Sequence, residues 1–189
     1  MKALILTTHT GGGHDAAANA VHLALEARGV SCDVLDSVAF GGEAFSRTVS
    51  RTYIRTVVRS PGTFGTIYHI GDAVSRANRD RVRSPVYLVN AAYAGRLGDA
   101  VEELRPDIVV CTHLFPGQSM TSLRKRGRYS GVLGMVQTDY TMIPFAQEVK
   151  ADLLFIGHPD IMPECLAKGV REETVHVTGI PVDPACVRR

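Results

Sequence analysis

Short apolar runs punctuate the chain at residues 2–8, 31–38, 108–111, 132–136, 153–156 and 175–177. Each is too short for a buried helix and rich in Val, Ile and Leu, so each predicts a buried strand. Between them lie longer helix-like or mixed stretches. Residues 14–28, dominated by Ala, Leu and Val, predict a helix that Gly29 stops. Strands alternating with helices imply βαβ units, hence an α/β fold with a parallel sheet and helices on both faces. The stretch 43–105 breaks that rhythm. It predicts a helical insertion of three helices at 43–59, 63–78 and 85–104, separated by Ser60-Pro61-Gly62 and Ser84-Pro85.

Composition narrows the class. With 189 residues, 45% of them hydrophobic and 21% charged, the chain suits one globular domain and excludes wholesale disorder. A net charge of +2 gives no global basic field, so no nucleic-acid partner is expected. The four cysteines form no CxxC pair, and Cys32 and Cys111 sit inside apolar runs where free thiols behave as small hydrophobes. A reducing, cytoplasmic compartment fits that usage. No run approaches the roughly 18–20 apolar residues that span a bilayer, and the N-terminus is too short in apolar residues for a signal peptide.

Charge is distributed unevenly. Residues 45–84 carry eight arginines against Asp72 and Asp80, a local +6 that leaves the remainder at −4. Arg47, Arg51, Arg55 and Arg59 step by four, and Phe45, Val49, Tyr53 and Val57 step by four beside them. On a helix these make adjacent basic and apolar arcs, the pattern of a segment lying flat on an anionic membrane surface. A surface helix with its apolar arc on the core and its arginines solvated is the competing reading.

Candidate chemistry gathers at the strand ends. Gly11-Gly12-Gly13-His14 lies between the first strand and the first helix, where glycines allow close approach and a helix start offers free N–H groups. His14 would then stand at the carboxyl edge of the sheet, where open α/β sheets bind ligands. A plain turn with a solvent-exposed histidine is the alternative. Gly11-x-Gly13-x-x-Ala16, with Asp36 at the end of the second strand, also fits a loose dinucleotide fingerprint and keeps an NAD(P)-binding oxidoreductase fragment open. Thr138-Asp139 and Cys111-Thr112-His113 end two other strands and would face the same cleft. There Asp139 could orient an imidazole, bind a hydroxyl or simply cap the next segment, and His113 could line the cleft or pack within its loop. Gly157-His158-Pro159-Asp160 is the one stretch that suggests a metal ligand set, but no clustered ligands complete it and no metal is expected.

The stretch from Ile5 to His14, followed by alanines, resembles the N-terminal domain of monogalactosyldiacylglycerol synthases and bacterial processive diacylglycerol glucosyltransferases. Residues 111–116, 138–144 and 178–182 resemble further blocks of that family, so the likeness runs from residue 3 to about 183. It is nearer the bacterial branch. Asp15-Ala16-Ala17 stands where plant members have Arg-Ala-Ser, and Ile143-Pro144 where they have His-Pro. The resemblance implies the Rossmann-like N-terminal half of a metal-independent, inverting GT-B glycosyltransferase. Such an enzyme moves a hexose from UDP-glucose or UDP-galactose to diacylglycerol, with no further cofactor.

By that likeness, residues 1–189 form the acceptor-binding domain, and the UDP-sugar is held mainly by a C-terminal domain that this chain lacks. The isolated chain is then expected to be inactive. His14 is implied as the general base, with Asp139 orienting it or the acceptor, and Gly11, Gly12, Gly13 and His113 near the acceptor. Residues 45–59 would hold the protein peripherally on anionic lipids at the cytoplasmic face of the membrane. A non-catalytic module that binds anionic lipid is the alternative from another class.

Overall fold

The computed structural model describes residues 1–9, 12–42 and 83–187. Gly11, the two predicted helices at 43–59 and 63–78, and the proposed membrane arc from Phe45 to Arg59 lie outside the described residues.

Six strands form one sheet: β1 (Lys2–Thr7), β2 (Ser31–Asp36), β3 (Ile108–Cys111), β4 (Val132–Val136), β5 (Leu153–Ile156) and β6 (Val175–Val177). Their order is β2-β1-β3-β4-β5-β6, and every adjacent pair is parallel. This is a Rossmann-like α/β architecture. The helices are α1 (Gly12–Glu26), α2 (Pro85–Leu104), α3 (Leu114–Lys125), α4 (Met162–Ala167) and the short α5 (Pro184–Val187).

The inner strands are apolar through their middles, as in Ala3 to Leu6 of β1, because both faces are covered. Leu4 and Leu6 of β1 are fully buried in a cluster with Val109, Cys111 and Leu133, joined by Ala94, Leu97 and Val101 of α2 and Met120 and Leu123 of α3. Ile5, Val110 and Val136 alternate to the other face and cluster with Ala18, Val21 and Leu25 of α1. Burial pushes the Cys111 thiol far up, so it stays protonated and packs as an apolar group.

Helix boundaries follow their capping chemistry. Ser84 Oγ accepts from the Tyr87 amide at 3.0 Å, and Pro85 fills the first turn of α2, where its missing N–H is no loss. Several boundaries differ from the sequence expectation, among them the end of β1 at Thr7 instead of residue 8 and the end of α1 at Glu26 instead of residue 28. β2 ends at Asp36, not at residue 38, because the Asp36 carboxylate accepts from the Val38 amide and starts a 3-10 turn at Ser37–Gly41. α1 begins at Gly12, so Gly12 and Gly13 form its first turn instead of preceding it.

The strand order reverses between β2-β1 and β3 onward. Loops leaving the carboxyl ends of β1 and β3 therefore diverge to opposite sides and leave a crevice between them.

Candidate active site

Three strand ends meet at that crevice. β1 leads into α1 and carries His14, β3 ends before Thr112 and His113, and β4 ends before Thr138 and Asp139. The β1–β3–β4 register, with Leu6 beside Cys111 and Cys111 beside Met135, brings the three ends level.

His14 is half-buried, and its Nδ1 lies 2.9 Å from the Thr112 carbonyl oxygen and 2.9 Å from Thr138 Oγ1. A carbonyl only accepts, so Nδ1 carries the proton and donates it, shared with the threonine hydroxyl. In the neutral ring Nε2 then keeps its lone pair. Among the described residues nothing hydrogen-bonds to Nε2. This is the tautomer a general base needs.

His113 is 7% exposed and packs against His14 with ring centroids 4.5 Å apart and planes at 87°. Its own Nδ1 accepts from the Phe115 amide at 3.2 Å, which caps α3, and the Phe115 ring stands perpendicular to it at 4.5 Å. Burial above all, with the neighbouring His14, pushes the His113 imidazole down to about 3, so it is neutral at physiological pH.

Asp139 is exposed and makes no hydrogen bond among the described residues. Its carboxyl is nonetheless raised above the ordinary value by the crowding of surrounding atoms, with His14 pulling the other way. The groups that hold the His14 ring are thus the Thr112 carbonyl and the Thr138 hydroxyl. The Asp139 carboxylate is near enough to His14 to interact with it electrostatically.

Gly12 and Gly13 are exposed, and a Cβ on either would meet no described residue within 4 Å. Neither has the positive φ that demands glycine. Their lack of side chains lets a ligand approach the backbone of the α1 start closely. Asp36 is committed to its own turn, as the Val38 contact shows, and this weakens the dinucleotide reading.

Sequence reasoning missed a second set of contacts beneath the loop. Asp15, the residue that departs from the plant pattern, takes Thr7 Oγ1 on one carboxylate oxygen and His9 Nδ1 on the other, both at 2.8 Å. That hydrogen bond raises the His9 pKa. The loop bearing Asp139 is also held by its backbone. The Met142 amide donates to Glu164 at 2.7 Å, Lys168 Nζ donates to the Met142 carbonyl at 2.8 Å, and Gln137 reaches the Thr141 carbonyl. His158 folds onto Asp160 of its own turn, 3.2 Å away.

Residues 14–182 match the family described as Monogalactosyldiacylglycerol (MGDG) synthase. The chain is 22% identical over 170 residues to an uncharacterized glycosyltransferase, YkoN, of Bacillus subtilis (strain 168); the match covers 90% of this chain and 44% of that protein. Among solved structures it resembles the apo form of the lipopolysaccharide outer core galactosyltransferase WaaB, with a TM-score of 0.56 and 13% identity, over 94% of this chain and 45% of that one. The chain therefore spans less than half the length of each of these relatives.

Proposed function

The chain belongs to the monogalactosyldiacylglycerol synthase family, and on that premise we propose that it is the acceptor-binding half of a diacylglycerol hexosyltransferase. The observation that carries the reading is the His14 tautomer, set by the Thr112 carbonyl at the crevice where the strand order reverses. Nε2 takes the proton of the glycerol hydroxyl as its oxygen bonds to the anomeric carbon of a UDP-sugar. The bond from that carbon to the UDP oxygen breaks, UDP leaves, and the configuration inverts. The imidazolium so formed keeps its Nδ1–H on the Thr112 carbonyl, and the Asp139 carboxylate lowers the energy of its charge. Gly12 and Gly13 leave room for the acceptor.

The donor is held mainly by a nucleotide-binding domain outside these 189 residues, and no metal or other cofactor takes part. Since diacylglycerol is embedded in lipid, the protein works as a peripheral protein on the cytoplasmic face of an anionic membrane. Among the described residues no helix is long and apolar enough to cross a membrane. The basic and apolar residues that recur in the sequence from Phe45 to Arg59 serve as the contact.

The test is His14→Ala in the full-length transferase, assayed for sugar transfer from UDP-glucose and UDP-galactose to diacylglycerol. A positioned general base is worth about 10²–10⁴-fold in kcat. UDP affinity should change little, since the nucleotide sits in the other domain. A variant with near-parental kcat refutes the assignment.

A further inference from the structure

A ring held through one nitrogen is incompletely fixed. Among the described residues both hydrogen bonds to the His14 ring converge on Nδ1, which leaves a swing about that atom that would redirect Nε2. What stops the swing is the perpendicular face-to-edge contact with His113 at 4.5 Å. His113 cannot yield easily, because its Nδ1 is bound to the backbone of α3 and its other flank is closed by Phe115.

We propose that His113 is a positioning residue, whose imidazole packs edge-on against His14 and sets its ring plane, and not a contact for the acceptor. The inference rests on His14 being the general base. The neutral state matters for a simple reason. A protonated ring 4.5 Å away would repel the imidazolium that His14 becomes during the reaction. Because Nδ1 of His113 accepts from the Phe115 amide, the proton of the neutral ring sits on Nε2, and the two histidines hold opposite tautomers. The α3 N-cap thus does two jobs with one side chain: its nitrogen satisfies a helix amide, and its ring braces the base.

Nitrogen-15 NMR of the imidazoles reads these states directly in this chain. His113 should remain in its Nε2–H form from pH 5 to 8, and neutral His14 should hold the Nδ1–H form. In His113→Asn, whose amide oxygen can still cap α3, His14 should relax to a mixture of tautomers. In the full-length transferase the same change should lower kcat about 10²-fold, the scale of a misplaced reacting group, with KM nearly unchanged. His113→Phe restores an aromatic edge without the cap acceptor and should recover at least tenfold of that loss. A His113 that titrates near its ordinary value in the parent overturns the proposal, and this measurement stands even if the asparagine variant fails to fold. So does a folded His113→Asn variant with parental kcat and an unchanged His14 spectrum. Should His14→Ala prove fully active while the spectra come out as described, the role of His14 as base fails and the brace itself survives.

Discussion

Replacing His113 with asparagine should make this fold less sensitive to acid. The folded chain holds His113 neutral down to about pH 3, because burial, helped by the adjacent His14, disfavours its charged form. The unfolded chain protonates the same ring near 6.5. Above 6.5 neither state binds the proton and the group contributes nothing to pH dependence. As pH falls below 6.5, the unfolded state gains a proton that the folded state refuses. Folding therefore weakens by about 1.4 kcal/mol per pH unit until the folded pKa is reached. At pH 5 that amounts to about 2 kcal/mol from this one ring, while at pH 7 it is close to nil.

Asparagine carries no such linkage and ranks among the best N-cap residues, so it leaves the α3 amide satisfied. The cavity it creates costs stability equally at both pH values. The assay is urea unfolding of parent and variant by circular dichroism at pH 7 and pH 5. The stability difference, parent minus variant, should shrink by about 2 kcal/mol on going to pH 5. An unchanged difference would mean that His113 titrates alike in both states, and the buried neutral ring would be wrong.

Two further outcomes follow from other contacts. The His9 pKa is raised by Asp15, so its stabilising share is complete below 6.5 and is lost as pH rises through the raised value; the pair is largely exposed, and Asp15→Asn should remove about 0.2–1 kcal/mol of stability at pH 6. Thermal melts of parent and variant should converge as pH is raised toward 9, and a constant offset would refute the pairing. A Cβ on Gly131 would lie 2.7 Å from the rigid Asp107 carbonyl, so Gly131→Ala should cost about 1–3 kcal/mol, whereas Gly95→Ala, in open space inside α2, should gain about 0.5–1 kcal/mol. Melting temperatures moving in the same direction for both would contradict the packing at Gly131.

Strands β3 to β6 coincide with the apolar runs read from the chain; in β3, β4 and β5, which have a neighbour on each side, no polar position blurs the ends. α2 likewise spans the predicted 85–104, marked by Ser84-Pro85 at its start. The apolar Val38 extends the predicted β2 to residue 38, and the Asp36 turn that stops the strand sooner has no signature in the apolar pattern. His14 is legible as a residue of the ligand-binding edge from its place after three glycines, and its role as a base is implied only by the family resemblance. Its orienting partner is not legible, because the Thr112 group involved is a backbone carbonyl that any residue would supply. Thr138 offered one signal, its position just beyond a strand end, but the neighbouring carboxylate of Asp139 drew the expectation away from the hydroxyl. Nor could composition show that His113 is buried, since that depends on Phe115 and α3 closing over it.

The parallel sheet also dictates when the site can exist during folding. β1 finds its neighbour β3 only after the chain between residues 7 and 108 has looped back, and His14 meets Thr112 across 98 positions. Closing such a loop depends only weakly on its length, about 0.6 kcal/mol for each doubling, but distant pairings of this kind form slowly. No local fragment can therefore assemble the histidine pair ahead of the rest. The Nδ1 proton of His14 becomes a clock hand for refolding: it locks onto the Thr112 carbonyl when, and only when, the central strands have docked in register.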